Sequence, residues 1–211
     1  MIYLCSNTSC DDENIVHLEL CKIKYASFSV DLSAFSALVI SSKNAISALE
    51  FNKIPSNNKI SVFAIGKASA NAASKYGFGC VYEAQNSHGD EFALEIAPGL
   101  KGKKTLLLRP KEQISDIKGI LEKNGVLLSE QIAYENSIVT APKRQFETGA
   151  VFIFASPKNV EGFLKNFAWR DDFRAVAIGK STASALKSFT NPLVSNKQNI
   201  SECIKIAKNL L

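Results

Sequence analysis

Ala64-Ile65-Gly66-Lys67-Ala68-Ser69-Ala70 recurs as Ala177-Ile178-Gly179-Lys180-Ser181-Thr182-Ala183, and this pair of stretches decides the fold. A second pair precedes it. Ala37-Leu38-Val39-Ile40-Ser41-Ser42-Lys43-Asn44-Ala45-Ile46 reappears as Ala150-Val151-Phe152-Ile153-Phe154-Ala155-Ser156-Pro157-Lys158-Asn159-Val160. Ser42 lies 24 residues before Gly66, and Ser156 lies 23 before Gly179. The copies therefore share one offset, 113 residues by the glycines (179 less 66) and 114 by the serines (156 less 42). Two motifs at one offset mark an internal duplication.

Each copy reads strand, turn, helix, strand, turn, helix. The strands are apolar runs of about four to six residues, as a parallel sheet covered on both faces requires. Ser42 and Ser156 stand where an N-cap accepts hydrogen bonds from the first amides of a helix. Ala45, Ile46, Leu49 and Phe51 form one apolar helical stripe, and Val160, Phe163, Leu164 and Phe167 form the other. Gly66 and Gly179 follow strands and precede alanine-rich helices, the usual place for glycine in a βα turn of a doubly wound sheet.

Working outward, Ile2 to Cys5 and Thr105 to Leu108 both look like the first strand of a copy. The second is followed by a helical stretch from Ile114 to Lys123, a turn at Asn124-Gly125 and a strand from Val126 to Leu128. The N-terminal strand is thus expected to join the C-terminal half. The expected fold is α/β, with two similar doubly wound parallel-sheet domains, a cleft between them and a two-stranded linker. Residues 1–17 with 137–211 form one domain, 25–130 the other, and 18–24 and 131–136 the linker strands.

Bulk properties narrow the function. The chain has 211 residues, 46% of them hydrophobic and 21% charged, ordinary for a folded protein and not for a disordered one. A net charge of +5 suits an anionic small-molecule substrate, and no basic stripe with interleaved aromatics points to nucleic acid. The five cysteines are irregularly spaced without a C-x-x-C pair, and His17 and His88 lack partners at ligand spacing, so no metal is expected. No apolar run is long enough to span a bilayer, and the first residues lack the features of a signal peptide. The expectation is a reduced, cytoplasmic protein.

Several motifs fail on inspection. Gly179-Lys180-Ser181 is not a P-loop, because Arg174 stands where that motif needs glycine and the first copy has Ala68 in place of the hydroxyl. No G-x-G-x-x-G follows a strand, and Ser, His and Asp form no triad pattern. Tyr76-Gly77-Phe78-Gly79 reads as a helix end with a glycine cap.

In open parallel sheets ligands bind beyond the carboxyl ends of the strands, against helix N-termini. The repeated motifs put Ser42, Ser69, Ser156, Ser181 and Thr182 at that edge, where hydroxyls, amides and positive helix ends favour anions. A serine at a helix start is most often a cap alone. Matching hydroxyls in both copies exceed what capping requires.

These motifs resemble those of uroporphyrinogen-III synthases, as a divergent bacterial member. Ile40-Ser41-Ser42-Lys43-Asn44-Ala45 is similar to the family's Thr-Ser-x-x-Ala/Val strand end, and Ile65-Gly66-Lys67-Ala68-Ser69-Ala70 to its Val-Gly-x-x-Thr-Ala turn. Phe154-Ala155-Ser156-Pro157 and Ile178-Gly179-Lys180-Ser181-Thr182-Ala183 repeat both in the second half, and Gly125 to Tyr134 matches the stretch leading back across the linker. The resemblance covers residues from about 25 to 190. It implies a cofactor-free, cyclising hydro-lyase of porphyrin and haem biosynthesis. Its substrate would be hydroxymethylbilane, closed with inversion of ring D and loss of water. By position, Tyr134 matches a linker tyrosine proposed to assist hydroxide departure, and a phenol with pKa ~10 is protonated and able to donate. Ser42, Asn44, Gly66, Ser69, Ser156, Gly179, Ser181 and Thr182 match positions that hold acetate and propionate groups, and Arg174 a basic position before the last strand. A monomer is implied, with transient contact to the preceding pathway enzyme open.

The chain also departs from the family. Cys5-Ser6-Asn7 replaces Thr-Arg-Pro, a helix between Ser6 and Val16 is expected to be missing, and Arg109-Pro110-Lys111-Glu112-Gln113-Ile114 replaces a Gly-Arg-Glu stretch. Arg109 or Lys111 is the candidate substitute for that arginine. A non-catalytic binder of tetrapyrroles or other anionic small molecules, and a phosphosugar isomerase-like enzyme, stay open as alternatives.

Overall fold

A computed structural model describes residues 1–86, 88–113 and 115–211. Along the chain its strands are β1 (Ile2–Cys5), β2 (Ile15–Leu18), β3 (Cys21–Tyr25), β4 (Ala37–Ile40), β5 (Ser61–Ala64), β6 (Cys80–Glu83), β7 (Lys104–Pro110), β8 (Leu127–Ile138), β9 (Val151–Phe154), β10 (Arg174–Ala177) and β11 (Leu193–Val194). Its α-helices are α1 (Lys43–Phe51), α2 (Gly66–Tyr76), α3 (Gly89–Leu100), α4 (Ile117–Lys123), α5 (Pro157–Asn166), α6 (Lys180–Leu186) and α7 (Ile200–Lys208). The chain divides into two compact units. One is discontinuous, Met1–Lys22 with Asn136–Leu211, and the other is continuous, Ile23–Glu135.

The discontinuous unit has a parallel sheet in the order β11-β10-β9-β1-β2. The continuous unit has the order β6-β5-β4-β7-β8, parallel throughout, with β3 added beyond β8. Read side by side the two orders coincide, β9 with β4, β10 with β5, β11 with β6. The N-terminal strand β1 therefore fills in its sheet the place that β7 fills in the other, as the order of the copies predicts. β3 runs against β8, with the amides of Ala26 and Val139 bonding to the carbonyls of Ala133 and Leu20 at 2.9 and 3.0 Å.

Central strands buried along their length place alternate residues in two layers, because side chains in a strand alternate faces. In β4, Leu38 and Ile40 join the layer beneath α1 and α2, while Ala37 and Val39 join that beneath α3 and α4. In β9, Phe152 and Phe154 meet α5 and α6, while Val151 and Ile153 meet α7. Helices thus cover both faces of each sheet, the condition under which continuous apolar strands are stable.

Three differences from the sequence reading are instructive. The helix expected from Ile114 begins at Ile117, where Asp116 caps it by accepting from the Gly119 amide at 3.0 Å; Ile114 itself lies outside the described residues. The strand expected from Val126 to Leu128 and the linker strand expected over 131–136 are one strand, Leu127–Ile138, because β8 pairs first with β7 and then with β3. Each copy also carries a third strand–helix pair, β6–α3 and β11–α7. Between β1 and β2 no described residue is helical, whereas α4 occupies the matching connection of the other unit.

Candidate functional site

In the continuous unit β4 and β5 are in register, Ile40 beside Ala64, so the turns that follow them emerge side by side at the carboxyl edge. After β4, Ser42 caps α1 in extended backbone (φ −163°), its Oγ accepting from the Asn44 amide at 3.2 Å. Tyr134, from β8, is 6% exposed and hydrogen-bonds with the hydroxyls of Ser42 and Ser41. Burial pushes its phenol pKa above the ordinary value of 10, and the serine hydrogen bonds only partly offset this. The phenol is therefore held protonated at a helix start. After β5, Gly66 adopts φ +70°, a left-handed conformation in which L side chains are strained, and no described side chain caps α2. Ser69 is buried one turn into α2, and Asn44 is half-buried on α1.

The discontinuous unit repeats the edge with different chemistry. β9 and β10 are in register, Phe154 beside Ala177. Ser156 caps α5 in extended backbone (φ −165°), and its Oγ accepts twice from Asn159, from the amide at 3.2 Å and from Nδ2 at 2.8 Å. Pro157, at the first turn, has no amide hydrogen and lies where none is needed. Gly179 precedes α6 at φ −173°, ordinary extended backbone, and no described side chain caps that helix either. Thr182 is buried and Ser181 exposed.

Sequence reasoning missed a polar cluster at the end of β1. Asn7 Nδ2 donates to Asn136 Oδ1 at 3.2 Å, and Asn159 Nδ2 donates to Asn7 Oδ1 at 3.4 Å. Ser6 is buried, and its carbonyl accepts from His17 Nε2 at 2.8 Å. The repeat carried the only available hint, since Asn159 stands three residues after a cap serine, a spacing that lets a side chain reach back to the cap.

Arg174 is not with the others. It opens β10 at the amino end of the strand, the far edge from Ser156 and Thr182, and donates through Nη1 to the Leu210 carbonyl. A basic residue before a strand is carried to the opposite edge by the length of that strand, so Arg174 stands apart from the other candidate residues of its unit. Arg109 lies at the carboxyl end of β7 and Lys111 just beyond it, and both are engaged. Arg109 bonds Glu130 at 2.9 Å and the Pro110 carbonyl at 2.9 Å, and Lys111 pairs with Glu135 at 3.2 Å.

Among the described residues no group of three or more His, Cys, Asp or Glu could hold a metal ion, and all five cysteines are unpaired. No described helix is long and apolar enough to cross a membrane. The edges instead collect hydroxyls, carboxamides and helix starts, groups that can hold carboxylates by hydrogen bonding.

Comparison with known proteins supplies a family. The family described as uroporphyrinogen-III synthase HemD matches residues 17–205. Among solved structures, uroporphyrinogen-III synthetase from Helicobacter pylori is similar with a TM-score of 0.85 at 23% identity, covering 100% of this chain and 99% of that one. A mutant uroporphyrinogen III synthase from Thermus thermophilus is similar with a TM-score of 0.61 at 12% identity, covering 99% and 97%. At these identities the two structures establish the fold alone. No curated protein matches the sequence. The family match spans most of the chain, both repeats included, and the chain belongs to the uroporphyrinogen-III synthase HemD family.

Proposed function

We propose that the chain closes hydroxymethylbilane into uroporphyrinogen III with inversion of ring D, and that Tyr134 is the proton donor to the departing hydroxyl. The single observation that carries the assignment is the buried phenol of Tyr134, hydrogen-bonded at the Ser42 cap and kept protonated by burial. Loss of the terminal hydroxyl as water needs one proton, and it leaves an azafulvene cation conjugated to the pyrrole nitrogen. A neutral phenol supplies that proton without placing a formal positive charge beside the cation. Attack by ring D through its substituted carbon gives a spiro intermediate, whose rearrangement inverts the ring. Closure then releases a pyrrole-carbon proton, which restores the phenol.

The substrate's acetate and propionate groups are assigned to the helix starts. Gly66 and Ser69 serve in one unit, and Ser156, Gly179, Ser181 and Thr182 in the other, with Ser42 and Asn44 beside Tyr134. Amides and hydroxyls bind carboxylates there by charge-assisted hydrogen bonds. The reaction draws on no group beyond the chain and its substrate. The protein is assigned to the cytoplasm as a monomer, with contact to the preceding pathway enzyme transient.

Left alone, hydroxymethylbilane closes without inversion to the type I isomer. The isomer ratio after adding the protein therefore tests the assignment directly. Dominant type III is expected, and type I alone would refute it.

A further inference from the structure

Ser156 has two lone pairs and one hydroxyl hydrogen, and the structure accounts for the lone pairs. Both accept from Asn159, one from its amide and one from Nδ2. The hydrogen is left to point away from Asn159, and no described residue accepts it. A cap serine without this second donor can turn its hydrogen toward any nearby acceptor. Here the rotor is held.

What holds it is the direction of the Asn159 carboxamide, which is 1% exposed. The opposite orientation would place Oδ1 on Ser156 and draw the serine hydrogen inward. A relay of carboxamides opposes that. Asn7 spends its Nδ2 on Asn136 Oδ1, so its own Oδ1 faces Asn159 and accepts from it. Asn159 meets both demands with Nδ2, and its Oδ1 is left buried with no hydrogen-bond partner among the described residues. An unmade hydrogen bond of this kind costs about 1–3 kcal/mol. A core position that only packs has no reason to carry it.

We propose that Asn159 is a positioning residue, locking the Ser156 hydroxyl as a donor to a carboxylate of the substrate. The ligand class is an acid-substituted pyrrole, and the proposal rests on the synthase reading given above. The orphaned Oδ1 is the cost of the lock, and Asn7 and Asn136 are its backing.

Steady-state kinetics with hydroxymethylbilane on the full chain test it. Asn159→Ala is expected to raise KM about tenfold, the worth of one hydrogen bond to a charged group, with kcat within about twofold and Tm unchanged. Asn159→Asp is expected to raise KM further, because its carboxylate takes the Ser156 hydrogen and repels the ligand. The double variant Ser156→Ala, Asn159→Ala is expected to match Ser156→Ala alone. KM within twofold of the parent in Asn159→Ala, or effects of the two substitutions that multiply in full, would overturn the proposal. So would a fall in Tm with KM unchanged, the signature of packing alone. Should Asn159→Ala not fold, Asn7→Ala at its exposed position carries the test, and an unchanged KM there overturns the proposal equally. If the parent yields only the type I isomer, the synthase reading fails by itself. Uroporphyrin I, an octacarboxylate, then serves as the probe, followed through Trp169 fluorescence. Weaker binding in Asn159→Ala than in the parent still supports the lock, and equal binding or no binding by the parent refutes it.

Discussion

At matched places in the two copies, Leu38 and Ile40 face the core of the continuous unit where Phe152 and Phe154 face that of the discontinuous one. The first core is largely aliphatic. The second is a mesh of rings in which Phe152 meets Tyr3, Phe146, Phe163 and Phe173 at centroid distances of 4.8–5.1 Å. The duplication has preserved strand register, helix caps and the apolar period while letting side-chain volume drift. Backbone hydrogen bonding is thus the stricter constraint, and a core accepts different shapes when total filling is kept. The same divergence reaches the functional edge, where one cap serine meets a tyrosine and the other a carboxamide.

Removing a ring should break the comparison most. Phe152→Ala is expected to cost about 4 kcal/mol, against about 3 kcal/mol for Leu38→Ala, since a larger cavity opens among rings than among aliphatic chains. Trp169 is the sole tryptophan and lies in the discontinuous unit, packed on Phe152 and Phe173. Its fluorescence during chemical denaturation should register the first substitution far more than the second. Equal shifts would mean that the units unfold as one.

Tyr134→Phe removes the hydroxyl that sets the Ser42 cap apart. Loss of a positioned general acid lowers kcat by about a hundredfold, which corresponds to about 2.7 kcal/mol of barrier. Type III formation should fall by that factor while Tm stays near the parent's, because the ring still fills its place. Undiminished turnover would remove Tyr134 from the chemistry. In the parent, the raised phenol pKa predicts no loss of rate from this group as pH rises toward 10. Its linked stability has the same sign: it is complete below pH 10 and is lost only as pH rises through the folded value.

The two turn glycines separate more finely. Gly66 holds φ +70° with nothing within 4 Å of a built Cβ, so Gly66→Ala meets only backbone strain, about 1–2 kcal/mol. Gly179 is extended, and a Cβ there would rest 3.6 Å from the Gln198 side chain. Gly179→Ala should cost about 0.5 kcal/mol or less. Paired thermal melts compare them, and equal losses would show that the left-handed turn is not what selects glycine at position 66.

Much of this was legible in the residues, and the reasons are physical. β4, β5, β9 and β10 are apolar runs because both faces are covered, and Ser42 and Ser156 announce their helices by capping them. β6 and β11 are edge strands with exposed or half-exposed residues, so Cys80–Glu83 and Leu193–Val194 give no apolar run to read. α3 contains Pro98, which reads as a helix breaker and is tolerated near its last turn. The Asn7–Asn159 contact joins residues 152 apart, and an asparagine in a first helical turn looks like surface until the fold buries it. Tyr134 was reached through family resemblance, because a tyrosine in a strand reads first as packing. The charge of Arg174 is visible in the sequence, whereas the edge of the sheet on which it stands depends on where β10 begins.

The loops after the outer strands give the smallest difference, and pH alone should expose it. After β11, Ser195 closes its own turn with Lys197, its hydroxyl donating to the carbonyl and accepting from the amide at 3.3 Å. After β6 a carboxylate does the work. Glu95 accepts from the amides of Gln85 and Asn86 at 2.9 and 3.1 Å, from Asn86 Nδ2 at 2.9 Å and from the Tyr82 hydroxyl at 2.8 Å. These donors, the Gln85 amide foremost, lower its pKa from 4.5 to about 2. A depressed carboxyl stabilises the fold fully above its unfolded value and loses that contribution as pH falls through the folded one, here from 4.5 toward 2. Because the group is at the surface, solvent screening keeps the effect small. Glu95→Gln should therefore be slightly less stable than the parent at neutral pH, with the gap closing as pH falls across that window. Ser195→Ala should show a gap that does not change with pH, since a hydroxyl does not titrate there. A Glu95→Gln gap that is flat with pH would mean that the loop is held by its shape and not by the charge.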